Sequence, residues 1–144
     1  MPLKIGTPIV KEFALDQSDP TGETKVTIRQ GTQLQHDVMS DLFAESTYTY
    51  NDRERGKVEQ KVRYSVAEVR RLSIRMTMVG CNVERAAGVP LFKFKAGPQG
   101  LPELDMTEKE FNDAYGALNP PELTDEIYEK VLEQNPRWDP KSTS

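Results

Sequence analysis

The single tryptophan of this chain, Trp138, stands between two prolines in Asn135-Pro136-Arg137-Trp138-Asp139-Pro140. The segment closes an acidic helical pattern and precedes a polar stretch, Lys141 to Ser144. Proline lacks a backbone N–H and its ring clashes with the preceding helical turn, so the last helix has to stop near Asn135. Beyond that point stands a large aromatic ring between two prolines. A tryptophan so placed has two uses: a staple that folds the terminus onto the domain, or an anchor for a partner.

The N-terminal third reads as β-structure and then helix. Ile9 to Leu15 alternates in part through Val10, Phe13 and Leu15. Thr24 to Gln30 alternates cleanly, with Val26 and Ile28 on one face and Lys25, Thr27 and Arg29 on the other. The turn formers Asp16, Ser18, Asp19, Pro20 and Gly22 lie between, so a hairpin with a longer loop is expected. Thr32 opens a helix in which Leu34, Val38 and Leu42, widened by Met39 and Phe43, form the expected core face, ending near Ser46.

The central part predicts a second hairpin, from the β-prone Thr47-Tyr48-Thr49-Tyr50 and the alternating Val58 to Tyr64. Ser65 and Glu68 match a capping box. The helix they start places Val66, Val69, Leu72, Met76 and Val79 on one face, with Gly80 as its stop. Val89 to Lys95 is a short extended segment, with Phe92 and Phe94 on one side, and Gly97 to Pro102 a loop.

Two helices are predicted at the C-terminal end. Thr107 and Glu110 make another capping box, continued by Phe111, Ala114, Tyr115 and Leu118. Asn119-Pro120-Pro121 breaks that helix, and Pro121 suits the first turn of the next. There Leu123, Ile127 and Val131 form a stripe flanked by Tyr128 and Leu132. The fold class expected is therefore α+β: a small antiparallel sheet packed by amphipathic helices, with a C-terminal helical hairpin. Residues 1–140 are read as one globular domain, 101–140 as its C-terminal helical subregion and 141–144 as a polar tail.

Composition narrows the function. The 144 residues carry a formal net charge of -4, which disfavours general binding to nucleic acid or anionic membranes. No apolar run approaches the roughly 20 residues that span a bilayer. No hydrophobic signal segment lies behind Met1, so a soluble, unexported protein is expected. Charge is uneven: Arg53 to Arg75 is basic, and Glu103 to Glu133 is acidic with only Lys109 and Lys130 as bases. These stretches are read as solvated faces, or as faces that meet within the fold or between subunits.

Catalytic patterns are missing from the sequence. A single histidine, His36, cannot assemble a multi-histidine metal site in its usual form, and it is read as a polar surface residue. The single cysteine, Cys81, excludes an internal disulfide and reads as a buried, inert thiol. Gly97-Pro98-Gln99-Gly100 lacks the lysine and helix of a phosphate-binding loop. The carboxylates between Asp105 and Glu133 lack the spacing and central glycine of a calcium loop. Tyr48, Tyr50 and Tyr64, near the basic stretch, are read as core or sheet-edge residues rather than as base-stacking platforms. Neither catalytic residues, cofactor nor metal is expected.

Several segments together resemble the small tail assembly chaperones of long-tailed bacteriophages and prophages. They are Asp19 to Glu23 leading into Val26 to Thr32, then Leu91-Phe92-Lys93-Phe94, Phe111 to Leu118, and the terminal Val131, Asn135-Pro136 and Trp138. The likeness extends from about residue 10 to 140 and is one of style and order. It implies a non-enzymatic protein that keeps the long tape measure protein soluble while the tail tube polymerises in the host cytoplasm. It also implies that a longer frameshifted form is common among relatives. Members are often more purely helical, and the two predicted hairpins depart from that. Candidate partner-contacting residues are Phe111, Tyr115, Ile127, Tyr128, Val131 and Trp138. Homo-oligomerisation is left open. The alternatives are a structural virion subunit, in the tail or connector, and a small nucleic-acid-binding regulator using Arg53 to Arg75.

Overall fold

A computed structural model describes residues 9–52, 66–97 and 100–139, with the backbone alone along 43–52. Strands β1 (Val10–Ala14) and β2 (Lys25–Arg29) pair antiparallel as expected, with Phe13 opposite Val26. Alternation sets the faces: Val26 and Ile28 are fully buried, while Lys25 is exposed. The loop between the strands is organised by Asp19. Its carboxylate accepts the N–H and hydroxyl of both Thr21 and Thr24 at 2.7 to 3.2 Å. Gly22, at φ 74°, supplies the left-handed residue this loop needs.

Helix α1 (Gln33–Asp52) starts from a reciprocal cap. The Thr32 hydroxyl accepts the Gln35 N–H at 3.2 Å, and the Gln35 side-chain oxygen accepts the Thr32 N–H at 3.0 Å. Two expectations fail in α1. The helix runs on through Thr47 to Tyr50, so these residues form no strand and the second hairpin is not made. Local β-propensity is a weak force beside an established helix that adds one hydrogen bond per residue. The predicted strand Val58 to Tyr64 lies outside the described residues. Secondly, Leu34 is 72% exposed and Val38 40% exposed, so the first two residues of the expected apolar stripe face outward. Only the start of the stripe turns away: Met39 of the expected face is buried and Leu42 packs against the core, while Gln35 donates to the Met76 carbonyl at 3.2 Å.

Helix α2 (Val66–Thr77) runs without a break into strand β3 (Met78–Cys81). Gly80, expected to stop the helix, is a strand residue opposite Thr27, where a Cβ would sit 3.2 Å from Thr27 Oγ1. β3 pairs antiparallel with β2, giving the order β1-β2-β3 and a central β2. The buried face of α2 is Val69, Ser73, Ile74 and Thr77, and Val66 is exposed. Ser73 and Thr77 tolerate burial because their hydroxyls donate back to the carbonyls of Arg70 at 3.0 Å and Ser73 at 2.8 Å. Ser65 of the expected capping box lies outside the described residues.

Two short antiparallel ribbons come next: β4 (Glu84–Ala86) with β5 (Val89–Pro90), and β6 (Phe94–Ala96) with β7 (Pro102–Leu104). The segment expected to be extended from Val89 to Lys95 is thus divided between the two, and β7 begins inside the expected loop. β7 lies beside β3.

Two helices form on either side of the expected proline break. Helix α3 (Glu108–Gly116) carries the full Thr107/Glu110 capping box. Helix α4 (Pro121–Gln134) has Pro121 in its first turn and packs on β2 and α2. Its Leu123, Ile127 and Val131 stripe is buried. The core joins these to Phe13, Leu15, Val26, Ile28, Phe92 and Phe111, with the Phe92 and Phe111 rings 5.8 Å apart. Burying each such side chain stabilises the fold by about 1.5–3 kcal/mol.

Candidate functional site

The C-terminal turn is a clamp on the strand-to-helix corner at β2 and α1. Asn135 is buried. Its side-chain oxygen accepts the Gly31 N–H at 2.7 Å, and its amide donates to the carbonyls of Arg29 and Val131, each at 3.2 Å. Pro136–Trp138 form a 3-10 turn that lays the indole on Gly31, where an added Cβ would come 2.6 Å from the ring. Trp138 is buried, and its indole N–H donates to His36 Nδ1 at 2.8 Å with the rings edge-on. An indole can only donate, so the imidazole nitrogen facing it carries no proton. His36, expected at the surface, is half-buried and structural.

A second tie holds the β1–β2 loop. Glu126 is 2% exposed, yet its carboxylate accepts the N–H groups of Gln17 at 3.1 Å and Ser18 at 2.9 Å, and the Ser18 hydroxyl at 2.8 Å. A buried carboxylate is tolerable when such donors surround it.

The candidate contact residues divide by burial. Phe111, Ile127, Val131 and Trp138 are core, and in this conformation they present no surface to a partner. Tyr115 and Tyr128 are half-buried. Tyr115 packs on Phe111 and its hydroxyl accepts Arg70 Nε at 3.0 Å. Arg70 also meets Asp125 at 2.9 Å, so the basic and acidic stretches do touch within the fold at this point.

A surface better suited to binding is a groove of about 430 Å³ that the sequence pattern did not mark. Its floor is Met78 and Val79 of β3. Leu72 and Met76 of α2 form one wall; Leu101, Leu104 and Met106, in and beside β7, form the other. These five wall residues are half-exposed. The polar lining is Arg29, Gln35, Arg75 and Glu103. The sequence signal was the apolar spacing of Leu101, Leu104 and Met106, but its partner wall became visible only once β3 joined the sheet.

Titration chemistry is sparse. Desolvation pushes the Cys81 thiol up to about 11, which keeps it protonated and unreactive near neutrality. Hydrogen bonds from the Thr24 hydroxyl and then the Thr21 hydroxyl hold the Asp19 carboxyl below its ordinary value. Among the described residues, no group of three or more His, Cys, Asp and Glu side chains is arranged to hold a metal ion. Likewise, no described helix is long and apolar enough to cross a membrane. In comparisons with known proteins, no family model, curated protein or solved structure matches the chain.

Proposed function

We propose that this chain is a tail assembly protein of a long-tailed phage or prophage, acting as a chaperone or adaptor for the tape measure protein. The observation that carries the reading is the Met- and Leu-walled groove between α2–β3 and β7. A chaperone for a long amphipathic chain needs shallow surface that mixes apolar and polar contacts, and this groove sets half-exposed Leu and Met side chains among Arg29, Gln35, Arg75 and Glu103. The resemblance of Asp19 to Thr32, Phe111 to Leu118 and the Asn135-Pro136-Arg137-Trp138 turn to such chaperones supplies the biological setting. The burial of Trp138 favours its use as a staple, which moves the contact surface away from the C-terminal turn.

The test is co-expression with the tape measure protein of the same gene cluster, then affinity pull-down and light scattering. A soluble complex that is lost on Leu101→Glu or Met106→Glu supports the reading. Absence of a complex, with the chain recovered in purified particles, assigns it to the virion as a structural subunit. Steeply salt-dependent binding to DNA or RNA would instead make it a nucleic-acid-binding regulator.

A further inference from the structure

Two arginines overlook the groove. Arg29 ends β2, Arg75 lies in the last turn of α2, and both are half-exposed and line the groove. Among the described residues neither forms an ion pair within 4.0 Å, whereas Arg70 on the same helix as Arg75 is held by Asp125. The one acidic residue of the lining, Glu103, lies 3.9 Å from Lys95. The groove therefore combines apolar walls with a cationic margin, on a chain whose net charge is negative.

Resting on the chaperone reading, we propose that the groove takes one amphipathic helix of the partner, with an apolar stripe flanked by Asp or Glu. Such a helix shows an apolar side chain every three or four residues, which suits a trough with walls on both sides. The half-exposed Met76 and Met106 adapt to different apolar side chains, as a client with many similar helices requires. The guanidinium fork pairs with a carboxylate through two parallel hydrogen bonds, so Arg29 and Arg75 select acidic flanks over basic ones.

The experiment uses the full chain and labelled peptides tiling the tape measure protein, read by fluorescence polarisation. The tiles that bind are expected to be amphipathic helices with acidic flanks. Arg29→Glu with Arg75→Glu should weaken them by about tenfold or more. Replacing the acidic flank of a bound tile by Lys should weaken it against the unaltered chain and restore it against the double variant. The milder Arg29→Gln, Arg75→Gln pair, checked by circular dichroism, should weaken binding in the same direction. Bound tiles without carboxylates, or equal binding by the charge-reversed chain, overturn the proposal. Undiminished co-purification of the whole tape measure protein with the double variant overturns the groove and leaves the chaperone reading standing. No co-purification with the unaltered chain removes both.

Discussion

Trp138 and His36, 102 positions apart, are joined by a 2.8 Å hydrogen bond from the indole N–H to Nδ1 of the imidazole. The bond fixes the rotation of α1 about its axis, because His36 has to face the C-terminal turn. That rotation sends Leu34 and Val38 outward and brings Met39 into the core. Trp138→Ala should destabilise the fold by about 3–5 kcal/mol through loss of a buried aromatic. Trp138→Phe, which keeps an aromatic ring but not the donor, should cost about 1–3 kcal/mol. Urea denaturation of the two variants measures the difference. As the only tryptophan, Trp138 should also emit at short wavelength in the native chain and resist iodide quenching.

Gly31 is the floor under that ring. A methyl group there would meet two indole carbons at 2.6 and 2.8 Å, closer than any normal contact. Gly31→Ala should therefore destabilise by about 1–3 kcal/mol from overpacking. Combined with Trp138→Ala, most of this cost should vanish, because the clash partner is gone. A double-mutant cycle measured by thermal unfolding checks the coupling; additive effects would show that the ring does not rest on Gly31.

Glu126→Gln tests the buried carboxylate. The substitution keeps the shape but turns an amide nitrogen toward the N–H groups of Gln17 and Ser18, or leaves one of them without its acceptor. A loss of about 1–3 kcal/mol is expected, together with faster amide exchange at Gln17 and Ser18. Unchanged exchange would mean that the loop holds itself.

Two groups titrate in a direction with a visible consequence. The folded-state pKa of Asp19 is depressed below 3.8, so its contribution is present above that value and fades as pH falls through the folded pKa. Asp19→Asn should flatten the acid limb of the stability profile. Cys81 behaves oppositely: its pKa rises from 9.0 to about 11, so folding favours the protonated thiol, and that contribution is present below 9.0 and lost as pH rises through 11. Iodoacetamide should label Cys81 slowly at pH 8 in the native chain and far faster in urea.

The parts of the fold set by local chemistry were legible in the sequence. Alternation at Val26 and Ile28 located β2, the Thr107/Glu110 pair located α3, and Pro121 located α4. The parts set by distant contacts were not. Ser73 and Thr77 look like a polar face until their hydroxyls are seen to bond within the helix. Met78 and Val79 continue a helical pattern that Gly80 is expected to stop, until β2 offers them a strand partner. His36 beside Asp37 reads as a surface pair, because nothing near it in sequence announces Trp138. The groove was missed for the same reason: its floor is β3, which begins inside the expected helix, and one wall is at β7, which begins at the last residue of the expected loop.

The clamp also governs the order in which the molecule can be completed. Gly31 waits for Asn135 and Ser18 for Glu126, partners 104 and 108 residues further along the chain. Bringing such distant segments together costs loop-closure entropy before any contact rewards it, and folding slows as contacts grow less local. The hairpin and the capped helices can form early, while the chain is still being made. The corner at Arg29 to His36 acquires its partners Asn135 and Trp138 only once the C-terminal turn has been synthesised and has reached it.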